Sequence, residues 1–88
     1  MLINQGEVRQ IGIEVISRVR EDFEIETAEY EIKKPDDDTI IQAGVATIEG
    51  NKILTLFSAS HTGTFYCTLT YRIGPEILKA KLRLEVVK

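Results

Sequence analysis

The chain has 88 residues, a formal net charge of −3 at pH 7, and a composition that is 43% hydrophobic and 28% charged. This length predicts a single domain, residues 1–88, whose small core leaves no volume for a deep enzyme cleft. The net negative charge argues against nucleic-acid or anionic-membrane binding. The single cysteine predicts a protein without an internal disulfide. The lack of a long apolar run predicts a protein that is cytoplasmic at synthesis.

The first predicted element is a β-strand in the sequence EVRQIGIEVISRV. Ile11, Ile13 and Val15 share one parity, and β-branched residues dominate the segment, which favours a strand. A helix that places Val8, Ile11, Val15 and Val19 on one face remains the alternative.

The second predicted strand lies in DFEIETAEYEIKK and changes its inward parity midway. Phe23 and Ile25 point one way, whereas Ala28, Tyr30 and Ile32 point the other. Side chains alternate along a strand, so we expect a bulge or bend near residues 26 and 27. Such a bend would let one long strand serve both sheets of a sandwich.

Polar turns separate the middle strands. The sequence KPDDDT predicts a turn, and the following TIIQAGVATIEG places Ile41, Ala43 and Val45 on one parity. The sequence EGNK predicts a tight hairpin. The next segment, KILTLFSAS, is apolar on both parities, so we expect a central strand that is buried on both faces.

The last two strands alternate most regularly. In TFYCTLTYRI the inward set is Phe65, Cys67, Leu69, Tyr71 and Ile73. In ILKAKLRLEVV the inward set is Leu78, Ala80, Leu82, Leu84 and Val86. A helix beginning at Pro75 is the alternative for the second segment. The turns SHTG and GPE are too short for crossover helices, which predicts antiparallel neighbours and a sandwich or barrel.

No catalytic or metal site is predicted. His61 lies in a turn and Cys67 on a core-facing parity, about 20 Å apart along an extended chain, too far for a nucleophile–base pair. Asp36, Asp37 and Asp38 could seed a calcium site, but they lack the spacing of a calcium loop and suit a turn better. We therefore expect a protein that is not an enzyme and that has no cofactor.

The candidate contact surface consists of outward residues on the last two strands. Its members are Tyr66, Arg72, Lys79, Lys81 and Arg83. Tyrosine and arginine are common in interaction hot spots. The basic residues and the acidic segment 21–31 could be two solvated faces, as neighbours in one sheet with weak cross-strand pairs. They could also be complementary charges between copies of the protein or towards a partner. The alternating cations could also guard an edge strand against unwanted pairing.

The sequence HTGTFYC resembles the start of strand F in the immunoglobulin superfamily. Thr62, Gly63 and Cys67 match that signature, whereas His61 and Phe65 stand where it has aspartate and tyrosine. Phe65 has no hydroxyl, so it cannot form a tyrosine corner, and no partner cysteine exists for Cys67. The resemblance implies the architecture rather than a receptor or antibody domain.

From residue 22 to residue 87 the chain resembles small immunoglobulin-like proteins of bacteriophages and prophages of Gram-positive bacteria. The matching motifs, in order, are Ala28-Tyr30-Ile32, Gly44-Ala46-Ile48, Thr62-Gly63-Phe65, Ile73-Gly74-Glu76 and Lys79-Ala80-Leu82-Leu84-Glu85-Val86. The resemblance implies a virion-associated or particle-assembly module without catalytic residues. Its partners would be phage structural proteins or a second copy of the chain.

The sequence thus predicts an all-β, immunoglobulin-like antiparallel β-sandwich of about seven strands without a disulfide. The predicted core is Ile13, Val15, Tyr30, Ile32, Val45, Leu54, Leu56, Phe65, Cys67, Leu69, Leu82, Leu84 and Val86. The predicted function is a non-enzymatic phage or prophage structural accessory acting through protein–protein or surface contacts. The alternative is a cell-surface adhesion or carbohydrate-binding module, with Tyr66 or Tyr71 as the exposed aromatic platform.

Overall fold

A computed structural model of the chain describes residues 1–16, 23–36 and 39–88, and this part contains eight β-strands and no helix. The strands are β1 (Leu2–Asn4), β2 (Val8–Glu14), β3 (Thr27–Lys33), β4 (Ile40–Val45), β5 (Thr47–Glu49), β6 (Lys52–Ser58), β7 (Gly63–Ile73) and β8 (Glu76–Val87). The strand interpretation is therefore correct for both segments that had a helical alternative. Val19 and the acidic residues Glu21 and Asp22 lie outside the described residues.

The strands form two sheets that pack face to face as an immunoglobulin-like β-sandwich. The large sheet has the order β1-β8-β7-β3-β4, and the small sheet has the order β2-β6-β5. In the described part of the chain every strand pair is antiparallel except β1, which runs parallel to the end of β8. The predicted fold class is confirmed, with eight strands in place of about seven and with one parallel pair.

Two tight hairpins confirm the predicted turns. Ile73 lies opposite Glu76 across the β7–β8 turn, where Gly74 has a φ of 58°. Gly50, with a φ of 61°, occupies the corresponding place between β5 and β6. Glycine adopts this left-handed conformation without steric cost, so these turns reverse the chain within two residues. The SHTG turn differs from the expectation, because it joins β6 to β7 in the other sheet.

The core lies between the two sheets and draws on both. Its fully buried large side chains are Phe57, Ile3, Ile32, Ile53, Leu69, Leu84 and Cys67. The rings of Phe57 in the small sheet and Phe65 in the large sheet lie 6.1 Å apart between centroids and are tilted by 56°. The inward parities predicted for β7 and β8 are confirmed. Ile13, Val15, Tyr30 and Leu82 are partly buried against this core.

Three residues of the predicted core do not belong to it. Val45 is 83% exposed, Leu56 is 59% exposed, and Leu54 is only half-buried. β6 is central in its sheet, but the sandwich has only two layers, so the outer face of β6 meets solvent. Its other parity, Ile53 and Phe57, fills the core instead.

The inward and outward faces of β4 are the reverse of those predicted. Gln42 faces the sandwich interior, whereas Val45 faces solvent. The Gln42 amide donates from Nε2 to the Leu56 carbonyl at 2.6 Å and to the Tyr30 hydroxyl at 3.0 Å. Gln42 Oε1 accepts from the Ser58 backbone N–H at 3.4 Å. This side chain satisfies backbone groups of β6 beyond the short β5, so it links the two sheets where strand pairing ends.

The chain passes from the large sheet to the small sheet at Ala46. The Ala46 N–H still donates to the Ala28 carbonyl at 3.0 Å, and β5 then pairs with β6. The sequence placed a bend near residues 26 and 27, and the inward parity does change there, since Ile25 and Ala28 are both buried. The bend does not switch sheets, however, because β3 begins at Thr27 and stays within the large sheet. The irregularity of β3 lies at its other end, between Ile32 and Lys33, where β4 carries an extra residue.

We predict that Leu69→Ala lowers the free energy of unfolding by about 2–5 kcal/mol, because it leaves a cavity at a fully buried site. Leu56→Ala is the matched control and should change it by less than about 1 kcal/mol, because Leu56 is largely exposed. Urea denaturation measures both values. Equal losses for the two variants would contradict the assigned orientations.

We also predict that Gln42→Glu destabilises the protein by about 1–3 kcal/mol at pH 7, because a carboxylate cannot donate to the Leu56 carbonyl. That environment disfavours the charged form and raises the pKa of the new carboxyl group. The lost stability should therefore return as the pH falls through this pKa. Gln10→Glu, at an exposed position of β2, is the control for urea denaturation at pH 4 and pH 7 and should show neither effect.

Candidate contact surface

The outward side chains of β8, β7 and β3 form one continuous surface, which we call the outer face. Residues directly opposite each other in a ladder point to the same side of a sheet. Tyr66 is opposite Arg83, and the outward threonines of β7 are opposite Lys81 and Lys79. Arg72 has the same parity further along β7. The structure thus places all the predicted contact residues on the outer face.

One end of this surface is organised around Tyr66. The Lys81 ammonium lies 4.6 Å from the centroid of the Tyr66 ring, which is a cation–π contact. Next to them, Arg83 donates from Nη2 to Glu85 Oε1 at 2.7 Å. Tyr71, the other aromatic candidate for glycan binding, has the inward parity and packs against the core.

Arg72 lies at the other end of the outer face. It donates from Nε to the Gly74 carbonyl at 3.1 Å and lies 3.8 Å from a carboxylate oxygen of Glu26. Six residues of extended chain separate it from Tyr66, or about 20 Å. The predicted residues therefore line an elongated surface rather than a single pocket.

The acidic residues of β3 align with the basic residues of β8 across β7. Glu29 and Lys79 are both opposite Thr70, and Glu31 and Lys81 are both opposite Thr68. Two parallel rows result, Lys79–Thr70–Glu29 and Lys81–Thr68–Glu31, which we call the charge rows. The acidic and basic strands are therefore not neighbours, since β7 separates them by two strand spacings, or about 10 Å.

Within the charge rows the charges do not neutralise each other. Of these residues only Glu31 is in a salt bridge in the described part of the chain, with Lys33 of its own strand at 3.4 Å. The side chains of Lys33 and Glu31 are 36% and 49% exposed, and pairs this open to solvent contribute little to stability. A depression of about 240 Å³ lies over the two threonines, with Lys79 on one side and Glu29, Glu31 and Lys33 on the other. Along the charge rows the outer face thus has a positive border on β8 and a negative border on β3, with a polar trough between them.

The position of β8 also agrees with the edge-guarding interpretation. β1 pairs with β8 only at Glu85–Val87, and the described residues place no strand beside the preceding part of β8 on that side. Lys79 and Lys81 lie on this unpaired stretch, where cations oppose the addition of another strand. Edge guarding explains the lysines of β8, but it does not explain the two glutamates in register with them on β3.

The other candidate groups lie apart from one another. Cys67 is fully buried, and desolvation raises the pKa of its thiol from 9.0 to about 11, so the thiol is protonated at neutral pH. His61 is exposed in its turn, and its Nδ1 lies 3.0 Å from Ser60 Oγ. Asp36 is exposed, Asp37 and Asp38 lie outside the described residues, and the described His, Cys, Asp and Glu residues form no group suited to a metal ion.

Sequence reasoning named Glu29 and Glu31 as members of the acidic segment 21–31 but placed only the basic residues in the candidate contact surface. The signal that joins the two sets is the shared alternation of charges on β3 and β8, each with a spacing of two residues. The alternation by itself does not show that these side chains share a face, because that also depends on the order of the strands in the sheet.

The described residues include no helix that could cross a membrane. Comparison of the chain with protein-family models, curated proteins and solved structures found no match.

We predict that the stability of the wild type declines as the pH rises from about 9 to about 11, through the range between the unfolded and folded pKa values of Cys67. The folded state holds the thiol proton more tightly, so raising the pH favours unfolding across this window. Cys67→Ala removes this contribution and should give a smaller decline. Chemical denaturation at several pH values measures the difference, and identical declines would show that the thiol does not titrate this way.

Proposed function

We propose that the protein is a non-enzymatic structural accessory of a bacteriophage or prophage particle, and that it acts through protein–protein contacts of the outer face. The observation that carries this proposal is the outer face itself, with its two separated charge borders and its Tyr66–Lys81 pair. The resemblance of the ordered sequence motifs to phage immunoglobulin-like proteins supports the phage setting. In this proposal the protein is made in the cytoplasm and becomes associated with the virion.

The dimensions and chemistry of the outer face suit a contact surface. The Cα atoms extend over 43 × 23 × 20 Å, so the broad side of the molecule, of which the outer face is a part, measures about 1,000 Å², whereas a standard interface buries about 800 Å² on each partner. Tyrosine and arginine dominate hot spots because they combine a large apolar area with directional hydrogen bonds, and the outer face contains both types. The threonines between the charge borders are short, which allows a partner to approach the sheet closely.

The arrangement of Cys67 and His61 supports a non-enzymatic role. A cysteine nucleophile needs a thiolate beside a base, whereas the Cys67 thiol is buried with a raised pKa. His61 contacts Ser60 in an exposed turn. A buried free thiol is also compatible with a particle that assembles in a reducing compartment.

The test is to ask whether the protein belongs to particles. We expect the genes beside its own to encode capsid, tail or portal proteins, and mass spectrometry of purified particles to detect the protein. Metabolic neighbours together with particles that lack the protein would contradict the proposal. A glycan array on which binding is abolished by Tyr66→Ala would instead support the adhesion or carbohydrate-binding alternative.

A further inference from the structure

We propose that the partner of the outer face is a second copy of this chain, docked face to face around a two-fold axis that runs along β7. In this dimer Lys79 and Lys81 of each copy meet Glu29 and Glu31 of the other. The inference rests on the proposed function, because it takes the outer face to be a contact surface, and it adds the identity of the partner.

The charge rows determine which two-fold arrangement is possible. Rotation about an axis along β7 places β8 of one copy over β3 of the other and leaves each row at its own height. Lys79 then faces Glu29 and Lys81 faces Glu31, and symmetry repeats both contacts, which gives four Lys–Glu pairs. A two-fold axis across the strands would instead place β8 over β8, with lysines facing lysines.

The middle of the outer face is suited to this contact. Thr68 and Thr70 lie on the proposed axis near the centre of β7, which spans Gly63–Ile73. Packed sheets lie about 10 Å apart, and the long Lys and Glu side chains can meet across that gap over the short threonines. Twist rotates packed sheets by about 30° and displaces the ends of the strands most, so the central rows keep their alignment.

At the ends of the outer face the charges of the two copies complement each other less well than in the middle. We therefore place the main contact at the charge rows. In the row of Tyr66 the dimer places Arg83 over Lys33, two like charges. Each has a carboxylate neighbour in its own chain, since Arg83 contacts Glu85 at 2.7 Å and Lys33 contacts Glu31 at 3.4 Å. These contacts limit the repulsion, but only the two central rows pair opposite charges between copies.

The test uses two double charge reversals, Lys79→Glu with Lys81→Glu and Glu29→Lys with Glu31→Lys. Each reversal alone makes the rows uniform in sign and should weaken self-association at least about tenfold. Mixed in equal amounts, the two variants should form a heterodimer with an affinity within about tenfold of the wild-type dimer, because all four pairs are restored. Analytical ultracentrifugation over a concentration series measures the wild type, each reversed variant and the mixture, and circular dichroism confirms that each variant is folded.

The controls separate this inference from general charge effects and from edge guarding. Lys34→Glu with Lys88→Glu changes the net charge by the same amount at exposed positions outside the charge rows and should leave the dimer intact. Wild-type association should weaken at least about tenfold between about 0.05 M and 0.5 M salt, because salt screens exposed charges. If the lysines only guard an edge, reversing Glu29 and Glu31 should have no effect on self-association, and that result would overturn the proposal.

Two further results would overturn the dimer. One is a wild type that stays monomeric at about 1 mM protein in low salt, and the other is a pair of reversed variants that do not associate when mixed. Neither result bears on the particle test, since detection of the protein in purified particles would still support the proposed function. Conversely, a salt-sensitive dimer that is missing from particles would support this inference and contradict the phage assignment.

Discussion

Apolar packing between two sheets is the interaction on which the rest of this structure depends. Many immunoglobulin domains have a disulfide and a tryptophan at the centre of the core. This chain has one cysteine and no tryptophan, so it has neither feature within it. The core of this sandwich instead includes the contact of Phe57 with Phe65 and the small, fully buried Cys67. β7 supplies two of these residues, which explains why its alternation is the most regular in the sequence.

The same alternation determines the outer face. Since successive side chains of a strand point to opposite sides, fixing Phe65, Cys67 and Leu69 in the core fixes Tyr66, Thr68 and Thr70 on the surface. The long antiparallel ladders of β7 with β3 and with β8 then set the register of the charged residues on both sides. A slip of one residue in either ladder would turn its charged side chains into the core, so the packing that stabilises the domain also holds the charge rows in line.

The sequence predicted the strands whose two faces differ clearly, and it failed where tertiary contacts decide. For β4 the inward positions are Gln42 and Gly44, which a hydrophobic pattern cannot identify. Gln42 faces inward because Leu56, Ser58 and Tyr30 offer hydrogen-bond partners there. Gly44 lies under the Tyr30 ring, where an added Cβ would lie 3.3 Å from a ring carbon.

The short β1 and the switch at Ala46 escaped prediction for a related reason. β1 has three residues, and its one buried side chain is Ile3, so no periodic pattern could form. It is defined by its parallel pairing with a strand more than eighty positions away. At Ala46 the chain leaves the large sheet after a last backbone hydrogen bond to Ala28. A backbone contact of this kind does not depend on side-chain type, so the sequence pattern does not reveal it. Local patterns thus predict a strand, whereas contacts distant in sequence decide which sheet it joins and which side faces inward.

The chemistry of the outer face determines what kind of association it can support. Charge pairs between exposed side chains set orientation and partner choice more than affinity, because both partners lose hydration and side-chain freedom when they meet. Apolar contacts would come from threonine methyl groups at the centre and from Tyr66 at one end, where one face of the ring already lies beneath Lys81. Association through this surface is therefore expected to be specific in geometry but weak between free molecules. Holding copies close together raises their effective concentration, so weak pairs of this kind contribute most between molecules that other contacts already hold side by side.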